Sequence, residues 1–117
     1  MMLPGGEVLA PSGGCFPFRT LEDVSGLSQL AAGLCPDPES AQIALSELMC
    51  NAIEHGNLGI DFAEKSRLRE ADCWESEIQR RLSLPENEHK VVRLKVRREV
   101  ARWVFEIRDD GPGIPLN

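Results

Sequence analysis

Glu47 and Asn51 stand four residues apart in Glu47-Leu-Met-Cys-Asn51-Ala-Ile-Glu-His55-Gly56. On a helix that spacing projects the two side chains side by side. A carboxylate can accept a proton, and an amide oxygen can ligate a hard cation such as Mg²⁺. The pair suits magnesium-assisted attack on a phosphate. A solvated helix face produces the same spacing, but here small and apolar residues surround the pair nearly all round the helix. A second segment, Asp109-Asp110-Gly111-Pro112-Gly113-Ile114, reads at its simplest as a turn, since Asp, Gly and Pro are common turn formers. It also reads as a ligand loop. Two positions without Cβ let the backbone approach a ligand closely, and a carboxylate at a strand end can accept from an exocyclic amine such as that of adenine.

The elements that must position these residues follow from periodicity. Apolar residues at 24, 27, 30, 31 and 34 predict a helix over 21–34, stopped near Gly33 and Pro36. Asp37 and Pro38 open a second helix over 38–56, Asp as N-cap and Pro in the first turn. Along it Ala41, Leu45, Leu48, Met49, Ala52 and Ile53 form one broad apolar arc. Glu47, Asn51, Glu54 and His55 gather on a neighbouring arc, and Gly56 ends the helix. A third helix is predicted over 61–84, with a capping-box-like Asp61 and Glu64 and a stripe of Leu68, Ala71, Trp74, Ile78 and Leu82. Its other positions alternate in charge, as a solvated face does. Residues 16–20 form a short strand that Pro17 confines to a sheet edge or strand end. Val92, Leu94 and Val96 alternate with Arg93, Lys95 and Arg97, and Trp103, Phe105 and Ile107 with Val104, Glu106 and Arg108, which predicts an antiparallel hairpin. The second hairpin strand runs directly into Asp109. This order predicts an α+β two-layer sandwich, with helices on one face of a mixed or antiparallel sheet.

Composition bounds the alternatives. The chain has 117 residues, 42% of them hydrophobic, which is one core and one domain. Residues 1–14 are Gly/Pro-rich and read as a flexible lead-in to a domain over 15–117. They carry no basic residue ahead of an apolar stretch, so no secretory signal is read there. Nineteen acidic against thirteen basic residues give a net charge of −6, which repels phosphate backbones and argues against nucleic-acid binding. No apolar run is long enough for a membrane span. The four cysteines are widely and irregularly spaced, which argues against a zinc site or disulfide scaffold and for reduced thiols in a cytoplasm. Cys50, inside the second helix, reads as a small buried hydrophobe. Arg93, Lys95, Arg97, Arg98 and Arg102 make a basic hairpin in an acidic chain, either the solvent face of a one-sided sheet or a contact for an acidic partner protein.

Taken together, Glu47-Leu-Met-Cys-Asn51-Ala-Ile-Glu-His55-Gly56 resembles the N box of the histidine-kinase-like (GHKL, Bergerat-fold) ATPases. Asp109-Asp-Gly111-Pro-Gly113-Ile114 resembles their G1 box, which also follows a strand. The Glu-x-x-x-Asn-Ala-x-x-His-Gly form is most similar to the anti-sigma-factor serine/threonine kinase branch. The resemblance covers roughly residues 16–114. It implies a partial Bergerat fold with ATP and Mg²⁺ as cofactors. By it Glu47 is the general base, Asn51 the Mg²⁺ ligand at the phosphates, and Asp109 the acceptor from the adenine amino group. Gly111 and Gly113 shape the adenine pocket. His55 occupies a position that flanks the phosphates, although a His at a helix C-terminus is equally a cap favoured by the macrodipole.

The implied activity is transfer of the ATP γ-phosphate to a serine of a small regulatory protein. The implied setting is cytoplasmic signal transduction, with a sigma factor or anti-sigma antagonist as partner. A complete histidine kinase is not expected, because no His precedes His55 to serve as phosphoacceptor. The family pattern continues past the G1 box into an ATP lid and a second glycine-rich box, neither of which occurs before Asn117. Two expectations follow from that departure. Whether the sequence is a fragment of a longer protein or a degenerate module, the absence of a phosphate clamp from it implies ATP binding no tighter than roughly millimolar, with a non-catalytic protein-docking module as the alternative function. An incompletely covered sheet implies a homodimer.

Overall fold

The computed structural model describes residues 13–111. The lead-in over 1–12, and Pro112, Gly113 and Ile114 of the glycine loop, lie outside the described residues. The elements run β1 (Gly13–Phe18), α1 (Leu21–Ala32), α2 (Pro38–Asn51), a π-helical turn (Ala52–Asn57), α3 (Phe62–Glu70), α4 (Trp74–Leu82), β2 (Val92–Glu99) and β3 (Arg102–Arg108). The fold is α+β. The three strands form one antiparallel sheet in the order β1-β2-β3. β1 begins at Gly13, so Gly13 and Gly14 belong to the sheet rather than to the lead-in, and the strand ends two residues before Thr20. Pro17 lies on the edge strand, opposite Arg93, where its missing N–H breaks no ladder.

The hairpin register places Leu94 opposite Ile107 and Val96 opposite Phe105 on the inner face. Phe16, Phe18, Val92, Leu94 and Val96 form one core with Val24, Leu27 and Ala31 of α1, Leu45 and Met49 of α2, and Ile78 and Leu82 of α4. The helices thus cover one side of the sheet, and Lys95 and Arg97 stand exposed on the other. α1 is started by a full capping box at Thr20 and Asp23, and α2 by the Asp37 side chain, which accepts from the Ser40 N–H.

The segment 61–84 is two helices, not one. Asp72 sits at φ 57°, the left-handed region. Around it the Asp72 N–H donates to the Arg69 carbonyl (3.1 Å) and the Cys73 N–H to the Leu68 carbonyl (2.9 Å). That is a Schellman stop, with Asp in the place glycine commonly takes. The helical stripe therefore breaks at Ala71, which is exposed, while Ile78 and Leu82 reach the core.

Helix α2 also ends differently from the sequence expectation. It does not stop at Gly56. Its last turn widens, the Leu58 N–H reaching back to the Ile53 carbonyl (3.0 Å) and the Ile60 N–H to the Glu54 carbonyl (2.9 Å). A π-turn fits an extra residue into one helical turn and so changes which way the following side chains face.

Candidate functional site

Glu47 and Asn51 lie on the regular part of α2, Glu47 exposed and Asn51 half-buried. Neither side chain has a hydrogen-bond or ion-pair partner among the described residues. The π-turn carries Glu54, His55, Gly56 and Asn57 inward, all four buried. The single polar arc expected for Glu47, Asn51, Glu54 and His55 is thereby split into an open pair and a buried pair.

The buried pair is held from α3, α4 and the loop that leads into α3. The Glu54 carboxylate is fully enclosed; one oxygen accepts from Trp74 Nε1 (2.6 Å) and the other from Lys65 Nζ (3.0 Å). A buried carboxylate is tolerable only with such partners. His55 Nδ1 faces the Ile60 carbonyl oxygen, which can only accept, so that nitrogen carries the proton. Its ring packs against Phe62 at a centroid distance of 4.1 Å, and its Nε2 is buried without a partner among the described residues.

The two sequence segments meet at Gly56. An added Cβ there would overlap the Asp109 carboxylate, and one at Gly111 would overlap the Gly56 carbonyl oxygen. At Gly111 glycine is required because two backbones touch, whereas at Gly56 it leaves room for the Asp109 side chain. Asn57 Oδ1 accepts from the Asp110 N–H (2.7 Å) and completes the join. The two aspartates divide their work. Asp110 accepts from the Val91 N–H and from Arg93, both at 3.0 Å, and these bonds, the backbone one foremost, hold its carboxyl below the usual range. Asp109 accepts from the Gly111 N–H (3.0 Å) and lines a groove between α2 and β3.

That groove, about 360 Å³, is walled by Leu45, Leu48, Ala52, Phe105 and Ile107, with Asp109 the polar group in it. Leu48, expected in the core arc, is instead 56% exposed, because the inner face of β3 is only partly covered. A second cleft of about 460 Å³ contains Glu47 and Asn51 together with Cys50, Lys65, Arg69 and Trp74. His55 lines neither. Lys65, Arg69 and Trp74 were read from sequence as a solvated face and a core stripe. What marks them is that Lys65 and Arg69 lie on α3, a helix that buries nothing, and both stand over the Trp74 ring at the start of α4.

Among the described residues no three His, Cys, Asp or Glu side chains gather as a metal cage. Mg²⁺ bound with substrate phosphates needs only one or two protein oxygens, and the free Asn51 amide beside Glu47 fits that donor set. No helix among the described residues is long and apolar enough to cross a membrane. Comparison with known proteins finds no family model, curated protein or solved structure that matches this chain.

Proposed function

We propose that the chain binds Mg·ATP in the manner of the histidine-kinase-like ATPases it resembles, as a domain of a bacterial cytoplasmic signalling protein. The observation that carries this reading is the contact of Gly56 with Asp109 and Gly111, which joins the N-box-like helix to the G1-like loop. An apolar groove ending in the Asp109 carboxylate lies on one face of α2, and a cleft on another face holds an amide and a carboxylate without partners among the described residues. Adenine would lie in the groove, its amine donating to Asp109, with the phosphates directed along α2 toward Asn51.

Asn51 would hold Mg²⁺, which neutralises phosphate charge when bound. Glu47 is the base: a serine hydroxyl of a regulatory protein gives it a proton as the hydroxyl oxygen bonds the γ-phosphorus. The bond from that phosphorus to the β-bridging oxygen breaks, and ADP leaves. Chemical-shift titration with Mg·ATP tests the reading. Saturable shifts in α2 and β3, weakened about tenfold or more by Asp109→Ala, are expected. Absence of shifts at several millimolar nucleotide overturns it.

A second reading, a docking module without catalysis, draws on the hairpin. Residues 92–108 hold six basic and two acidic side chains in a chain of net −6. Docking of an acidic regulatory protein there would survive Asn51→Ala, whereas phosphoryl transfer would not. For the homodimer the support is the half-buried Trp103, Phe105 and Ile107. Sedimentation equilibrium showing a 13.0 kDa species at all concentrations would remove it.

A further inference from the structure

The cleft that holds Glu47 and Asn51 has an opposite wall built by α3, and that wall is cationic. Lys65 is committed: its ammonium pairs with the enclosed Glu54 carboxylate. Arg69, one helical turn further on, is not. Its guanidinium lies over the Trp74 ring, 5.1 Å from the centroid, and among the described residues it meets no carboxylate or carbonyl within hydrogen-bonding distance. Most other arginines of this acidic chain are matched. Arg80 and Arg81 pair with Glu77, Arg93 with Asp110, Arg97 and Arg102 with Glu99, and Arg108 with Glu106.

We propose that Arg69 is the cation that receives the terminal phosphate of a nucleotide polyphosphate in this cleft; the proposal rests on the nucleotide reading above. A cation–π contact consumes none of the guanidinium N–H groups, and those groups are what bind phosphate oxygens bidentately. Trp74 is itself fixed, because its indole N–H is bonded to Glu54, so the ring is a stationary platform that holds the guanidinium at the cleft. Glu47 and Arg69 line the same cleft without forming an ion pair. A phosphate between them would meet a cation on one wall and a base and an amide on the other. The helix pair α3–α4 thus supplies both the cation and the ring that holds it at the cleft.

The test compares ATP, adenosine and inorganic tripolyphosphate, each titrated against the wild type, Arg69→Met and Arg69→Lys. Arg69 is exposed and supports no core contact, so these variants fold, which their thermal melts verify. The wild type is expected to bind ATP about tenfold or more tighter than adenosine and to bind tripolyphosphate alone. Arg69→Met should erase the ATP advantage and the tripolyphosphate binding while leaving adenosine affinity unchanged, and Arg69→Lys should recover part of both. An ATP advantage that persists in Arg69→Met overturns the assignment of Arg69 and leaves the nucleotide reading standing. Equal wild-type affinity for ATP and adenosine does the same. Absence of binding by both ATP and adenosine overturns the nucleotide reading itself, and the assignment with it.

Discussion

The carbonyl oxygen of Gly56 occupies the space in which a side chain at Gly111 would begin. The end of the α2 extension and the loop after β3 therefore touch backbone to backbone, and the two glycines have different neighbours to lose. A methyl at Gly111 meets the Gly56 carbonyl carbon and oxygen, which cannot swing away. Gly111→Ala should cost about 1–3 kcal/mol, the range for overpacking a tight contact, read as a lowered unfolding midpoint in urea. A methyl at Gly56 meets only the Asp109 side chain, whose carboxyl group can rotate away while its Cβ, at 2.8 Å, requires a small backbone shift. Gly56→Ala should cost less stability than Gly111→Ala and should weaken adenosine binding more, because it displaces the carboxylate that faces the groove. Equal effects of both variants on stability and binding would contradict this division.

The Glu54 carboxylate gives a second prediction. With Lys65 and Trp74 each bonded to one of its oxygens, removing either partner leaves a charge enclosed with too few donors. Lys65→Met should destabilise by about 3 kcal/mol, in the range for breaking a buried pair, and Trp74→Phe by about 1–3 kcal/mol for the lost bond to a charged acceptor. Glu54→Gln combined with Lys65→Met should cost clearly less than the sum of the two single changes, because both charges of the pair leave together. Strict additivity in a double-mutant cycle from urea melts would show that the two groups are not coupled.

Periodicity carried much of the architecture. The alternation of Val92, Leu94 and Val96 identified the inner face of β2, and Pro17 the edge strand, because a two-residue period and a missing N–H are local properties. The Asp37 cap was legible for the same reason. Two features were not. The π-turn at Ala52–Asn57 arises where α2 meets the loop after β3, a contact between residues more than fifty positions apart. It buries Glu54 and His55, which an ideal helical wheel leaves beside Asn51. The break at Asp72 was hidden because Asp fits a helix surface as readily as a left-handed stop. In the candidate site, Glu47, Asn51, Asp109 and Gly111 stand out in the sequence by type and spacing. Arg69 and Trp74 do not, since their pairing across a helix break has no periodic signature.

The stop at Asp72 is testable by itself. Asp reaches φ 57° at some cost that glycine does not bear. Asp72→Gly should stabilise the protein by about 0.5–1 kcal/mol, and Asp72→Val should destabilise it, a β-branched residue being poorly accommodated in that region. Thermal melts of the two variants read this, and an unchanged or lower midpoint for Asp72→Gly would contradict it.

Acid should loosen the α3–α4 pair. Hydrogen bonds from Arg80 and Arg81 pull the Glu77 carboxyl down to about 2, against a small opposing effect of burial. Arg81 also donates to Glu64 (2.7 Å) and to the Leu58 carbonyl (3.1 Å), so Glu77 helps orient the arginine that ties α4 to α3 and to the π-turn. A carboxyl lowered on folding contributes stability that is fully present above its unfolded value near 4.5, and that is lost as pH falls toward 2. Glu77→Gln should be less stable than the wild type above that window, and its stability should fall less steeply within it. Parallel pH profiles for the two proteins would contradict the assignment.

Cys50 offers a chemical probe of the cleft. Burial raises its thiol above the ordinary value, the nearby Glu54 charge raises it further, and Lys65 acts in the opposite direction. Thiolate is the reactive form, so alkylation of Cys50 should be slow at neutral pH and should rise later with pH than that of an unperturbed thiol. Removing the cation by Lys65→Met should delay the rise further. Because Cys50 lines the same cleft as Asn51 and Arg69, bound Mg·ATP should slow its modification several-fold. Cys15, exposed on the outer face of the sheet, should react at the same rate with or without nucleotide. Peptide mapping by mass spectrometry after timed iodoacetamide treatment reads both sites in one sample. Equal rates at Cys50 with and without saturating nucleotide would place the phosphates outside this cleft.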